Sequence, residues 1–191
     1  MKINKIPIGQ LAMEFLSVVF AVLLALGLNA YKESLDTKSQ AELIKKSILT
    51  ECRNNQIKID STMERNHAFN AYIDSLVHLE SEDVTNVSFQ YAFELLNHSA
   101  WNLALNNTAT NYLDQDFMLA AADIYHTQEF YTDFTSSFYQ NLAEHITRMD
   151  EVAPYNTALS FYYSLEVMNS TADDLKKKYE SFFSNFEEQE E

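Results

Sequence analysis

The chain has 191 residues, a net charge of −15, 47% hydrophobic residues, and only two glycines and two prolines. The apolar content excludes a disordered chain, and the scarcity of turn formers excludes the all-β and doubly wound classes, leaving long helices with few connections in one domain plus an anchor. No Lys or Arg stands between Asn66 and Thr147, so the cationic clusters that grip phosphates are missing and no nucleic-acid partner is expected.

Residues 1–7 read as a stub carrying Lys2 and Lys5, and residues 8–31, "IGQLAMEFLSVVFAVLLALGLNAY", form the one strongly apolar run. A cleaved secretion signal needs a small-residue cleavage site. Here "ALG" at Ala25 to Gly27 would serve, but "LNA" puts Leu28 where a small residue is wanted. The apolar periodicity also runs straight on into the next segment, so the expectation is a retained transmembrane helix of about 20 apolar residues. Glu14, Ser17, Ala21, Ala25 and Asn29 recur three or four apart on one side of it. Small residues let helix backbones approach in a bilayer and polar ones bond across the contact. These five are the expected helix-packing face, toward another membrane protein or a second copy. The plainer alternative is that Glu14 reaches water just below the headgroups and the alanines only fill an apolar helix.

Residues 32–186 read as an all-α soluble domain, an antiparallel helical bundle hung from the membrane helix. The first helix continues with Leu35, Leu43, Ile44, Ile48, Cys52, Ile59, Met63, Phe69, Ile73, Leu76 and Val77 at helical spacing, with a kink or break expected at "RNNQ" (53–56). "SEDVTNVS" is a connection, and Ser88 is the expected N-cap of a short helix, "FQYAFELLNH". "SAWNLALNNTATNYLDQD" reads as a helical turn or two interrupted near Asn106 to Thr110. Phe117, Ala121, Ile124, Tyr131, Phe134, Phe138, Leu142, Ile146 and Met149 then make one apolar helix face, ended by Pro154. A last helix from Tyr155 is expected to restart at "STADDLKKK", and the acidic tail, residues 187–191, is expected to be solvated.

Two stretches resemble a family of uncharacterised bacterial single-pass membrane proteins. One is the membrane segment, with Glu14, "LLAL" at Leu23 to Leu26, Asn29 and Tyr31, the last in place of the family's usual Trp. The other is "AWNLALNNTATNYLDQDFMLAAADIYHTQEFY", with Ala100, Trp101, Thr108, Tyr112, Leu113, Asp114, Ile124, Tyr125 and Gln128 at the matching positions. The resemblance covers about half the chain. It implies an N-terminal anchor in the bacterial inner membrane and a helical domain on the periplasmic side, and it carries no established activity. The lysine flanks alone are nearly balanced, Lys2 and Lys5 against Lys32, Lys38, Lys45 and Lys46, and do not orient the helix.

No phosphate loop, Cys/His pair or Ser/His/Asp arrangement occurs, and the lone Cys52 can form no internal disulfide. Asp123, His126 and Glu129 fall three apart on one helix, yet the duplicated Glu-x-x-His pattern of bundle metal sites is missing. No cofactor and no catalytic activity are therefore expected. Trp101, Thr108 and Tyr112 are singled out as an interaction surface beside the "NNTAT" turn. The expected role is that of a membrane-anchored interaction protein, an accessory or assembly subunit of a membrane complex. The alternative is a ligand-binding or sensing module using the aromatic bundle interior.

Overall fold

The computed structural model describes residues 8–147 and 153–187, with side chains from residue 12 to 144 and from 153 to 187. The protein is all-α; among the described residues there is no strand. Helix α1 spans Ile8–Val77 without a break, about 105 Å at 1.5 Å per residue. The expected kink at 53–56 is absent. Asn55, which looks like an interruption of the apolar pattern, is fully buried and has its amide bonded, so the helix passes through it.

The apolar head of α1 is uncovered from Met13 to Leu28. Burial begins at Ala41 and follows Ala41, Ile44, Ile48, Cys52, Asn55, Ile59, Thr62, Asn66, Phe69, Ile73 and Leu76. From Asn55 onward the steps alternate four and three residues, a 3.5-residue period that keeps one face against neighbouring helices.

Residues 84–98 leave α1 and run back along it without regular secondary structure. The short helix expected from Phe89 to His98 does not form. Apolar residues there stand two apart, Val87, Phe89, Tyr91 and Phe93, which suits an extended chain rather than a helix. The strap is fully extended where it is pinned. Asn66 holds Ala92 and Asn55 holds Asn97, so eleven residues of helix, roughly 16 Å, match five residues of strap, also roughly 16 Å.

After the strap come α2, Ser99–Leu105, and a 3-10 turn, Thr108–Tyr112, separated as the sequence suggests near Asn106. The Asn107 side chain accepts from the Ala109 amide at 2.9 Å, and Asp114 caps the next helix by accepting from Phe117 N at 3.0 Å. Helix α3 spans Gln115–Thr147 and α4 spans Pro154–Phe186. Pro154, expected to end the third helical segment, stands in the first turn of α4, where its missing N–H costs nothing. The expected restart at "STADDLKKK" is absent; α4 is continuous.

Helix α4 packs against both α1 and α3. Its direction follows from the pairs. Phe117 meets Phe182 and Phe186, while Phe138 meets Phe161, so α3 and α4 are antiparallel. Arg53 lies on Phe183 and Asp60 pairs with Lys176, so α1 and α4 are antiparallel too. The strap fills the remaining seam, with Tyr91 edge-on to Phe69 of α1 and to Phe138 of α3, and Phe89 against Phe161 of α4. Ile146 and Met149, expected on the α3 face, lie outside the residues whose side chains are described.

Candidate functional site

The strap creates a specific problem: its backbone N–H and C=O groups have no neighbouring strand, and buried ones must still be bonded. Helix α1 answers with side chains. Asn66 accepts from Ala92 N at 2.7 Å and donates to Ala92 O at 2.6 Å. Asn55 accepts from Asn97 N and donates to Asn97 O, both at 2.8 Å. Lys58 donates to Leu95 O at 2.7 Å, and the Tyr72 hydroxyl accepts from Ser88 N at 3.1 Å. An amide side chain carries one donor group and one acceptor, so it can serve both main-chain groups of one residue in place of a strand.

Next to Asn55 the row ends in a buried polar node. Both oxygens of Glu51 accept from Ala100 N, at 3.1 and 3.0 Å, placing a carboxylate at the start of α2, where the helix has free N–H groups. The Tyr125 hydroxyl donates to Glu51 Oε1 at 2.7 Å. The Tyr125 ring is stacked on Trp101 at 5.1 Å, with His98 at 5.9 Å. Gln128, fully buried, accepts from Asn55 Nδ2 at 3.0 Å. Its Nε2 and the Tyr179 hydroxyl are buried without a partner.

Burial dominates the acid–base character of the node. It pushes the Cys52 thiol up to about 12, partly offset by the Tyr125 hydroxyl and reinforced by Glu51. It raises the Tyr125 phenol too, with Cys52 and Glu51 adding to the effect, and the Tyr179 phenol likewise. Cys52 is thus a protonated, inaccessible thiol at neutral pH, without the thiolate that nucleophilic chemistry requires. The Glu51 acceptors are engaged by Ala100 and Tyr125, so the node locks α1, the strap, α2 and α3 together.

The residues singled out from sequence separate into three places. Glu14, Ser17, Ala21, Ala25 and Asn29 are exposed along α1, with the Ser17 hydroxyl donating to Glu14 O at 2.8 Å on its own helix. Trp101 turns inward onto Tyr125, whereas Thr108 and Tyr112 are exposed on the 3-10 turn, at the bundle end that also exposes Leu103, Leu105 and Leu119. Trp101 is thus half-buried, while the other two are exposed. Asp123 pairs with Lys178 at 2.9 Å, and among the described residues no group of three His, Cys, Asp or Glu could hold a metal ion.

No motif in the sequence marks Glu51, Asn55 and Asn66; the one local signal is that Asn55, Thr62 and Asn66 interrupt an apolar face at whole-turn spacing. Within the second resembling stretch, Ala100, Trp101, Tyr125 and Gln128 all converge on this node, and Asp114 caps α3. The head of α1 is the one helix among the described residues that is long and apolar enough to cross a membrane. Comparison with protein-family models, with characterised proteins and with solved structures returned no match.

Proposed function

We propose that the protein is a single-pass protein of the bacterial inner membrane, a member of the uncharacterised family it resembles. Its helical domain sits on the periplasmic side as an accessory or assembly subunit of a membrane complex, without catalytic activity of its own. What supports this reading is the uncovered apolar head of α1, none of which is buried by the other described residues. A soluble protein does not leave such a length in water. Because α1 is unbroken, the anchor and the bundle form one rod, with about 15 Å of helix between Tyr31 and the first buried residue, Ala41. The interior polar groups largely bond one another, which leaves the outer surfaces for recognition.

Alkaline extraction of isolated membranes, protease access from either side, and co-purification in mild detergent test the parts in turn. Release at alkaline pH sinks the anchor, and protection of the bundle from external protease in spheroplasts sinks the orientation. A chain that stays in the membrane but purifies with no other subunit sinks the assembly role. A sensing role draws support from the open groove between α1 and the strap, lined by Phe69, Tyr72, Phe89 and Tyr91; a small molecule retained through purification would select it.

A further inference from the structure

The face of α1 turned away from the bundle carries a line of its own. Glu14, Ala21, Leu28 and Leu35 follow at steps of seven, one step of eight leads to Leu43, and Thr50 and Ile57 follow at sevens again. From Glu14 to Ile57 the line covers about twelve helical turns, so it stays on one side of the rod. Opposite it lies the buried row through Ala41, Ile48, Asn55 and Thr62. Among the described residues nothing covers the line: Leu35, Leu43 and Ile57 are 48%, 63% and 59% exposed. One basic side chain beside it is drawn off, Arg53, which lies on the Phe183 ring at 3.7 Å with an ion pair to Glu187. Lys32 and Lys46, also beside the line, stand one turn from Asp36 and Glu42, so each copy carries both signs at those heights.

The geometry points to a second copy of this chain as the occupant of this line, in a parallel pair of α1 helices that runs from the bilayer into the soluble part. This rests on the anchored reading above. Anchored copies share one orientation and one depth, so residues of equal number meet at equal height. A line parallel to the helix axis is then self-complementary about a two-fold axis along the membrane normal. The sizes fit that arrangement: Ser17 and Ala21 where backbones approach in lipid, and leucines where the pair emerges into water. The line also borders an open groove between α1 and the end of α4, lined by Leu43, Leu49 and Phe186, which offers a recess to apolar side chains of the other copy.

The test is disulfide trapping of the full chain in isolated membranes. Single cysteines at Leu35→Cys, Leu43→Cys and Ile57→Cys are compared with Glu33→Cys and Gln40→Cys, which are exposed on α1 but off the line. The native Cys52 is buried and stays silent. The expected result on mild oxidation is a band at twice the chain mass for the three line positions and for neither control. Absence of that band, equal trapping at all five positions, or adducts with a different polypeptide overturns the pair. A parallel alkaline wash separates the two readings: retention without trapping refutes the pair alone, and release refutes the anchor and the pair with it.

Discussion

Replacing Asn55 by Leu removes the amide but keeps nearly the same volume. Three bonds are lost: to Asn97 N and Asn97 O at 2.8 Å each, and to Gln128 Oε1 at 3.0 Å. A net bond contributes about 1 kcal/mol, and a buried group left unbonded costs about 1–3 kcal/mol. Gln128 is fully buried and loses the partner of its oxygen, whereas Asn97 is exposed as a residue and water can replace part of its loss. The sum comes to about 3 kcal/mol of unfolding free energy, tempered by the apolar gain from Leu. Urea unfolding in mild detergent measures it, with fluorescence of Trp101, the only tryptophan, reporting on the node it stacks in. Asn66→Leu is the companion, losing two bonds to Ala92, with an expected cost of about 2 kcal/mol. Because both asparagines hold one strap, the double variant should lose less than the sum of the two. A change below about 0.5 kcal/mol in Asn55→Leu, within the range of an indifferent surface substitution, would refute the claim that α1 stands in for a strand.

Tyr125→Phe keeps the stack on Trp101 and removes the bond to Glu51, so a loss of about 1.5–3 kcal/mol is expected in the same unfolding assay; Phe117→Ala, which empties a nearly fully buried site between Phe182 and Phe186, should cost about 3–5 kcal/mol. Iodoacetamide should label Cys52 slowly in the native protein at pH 8 and quickly in denaturant, since burial holds the thiol near 12; fast native labelling would show the node to be open. The fold also favours the neutral form of Cys52, from an ordinary value of 9.0, and of Tyr131, held near 12 from 10.0. Their contribution to stability is therefore full below pH 9 and is lost as pH rises toward 12, when the unfolded chain releases protons that the native one retains. Phenolate absorbance of the buried tyrosines should appear together with unfolding in an alkaline titration, not ahead of it.

Local periodicity made several features legible. The helical class, the uncovered apolar head, and the α3 face through Phe117, Ala121, Ile124, Tyr131, Phe138 and Leu142 all repeat at the spacing of a helix, and neighbours within one element suffice to set them. Capping at Asp114 and the division of α2 from the 3-10 turn are likewise short-range chemistry. The strap and the polar node are of the other kind. "FQYAFELLNH" has an acceptable helical composition, and its two-residue apolar alternation prevails only because α1, α3 and α4 present a seam that takes rings from an extended chain. Asn55 and Asn66 look like breaks in an apolar face until the backbone of residues 92 and 97 is laid beside them. The membrane candidate and the helices were written in the sequence because they depend on spacing along the chain. The meaning of the buried asparagines was decided by tertiary structure, because a polar side chain in a core is favourable or costly according to the partner that folding brings to it.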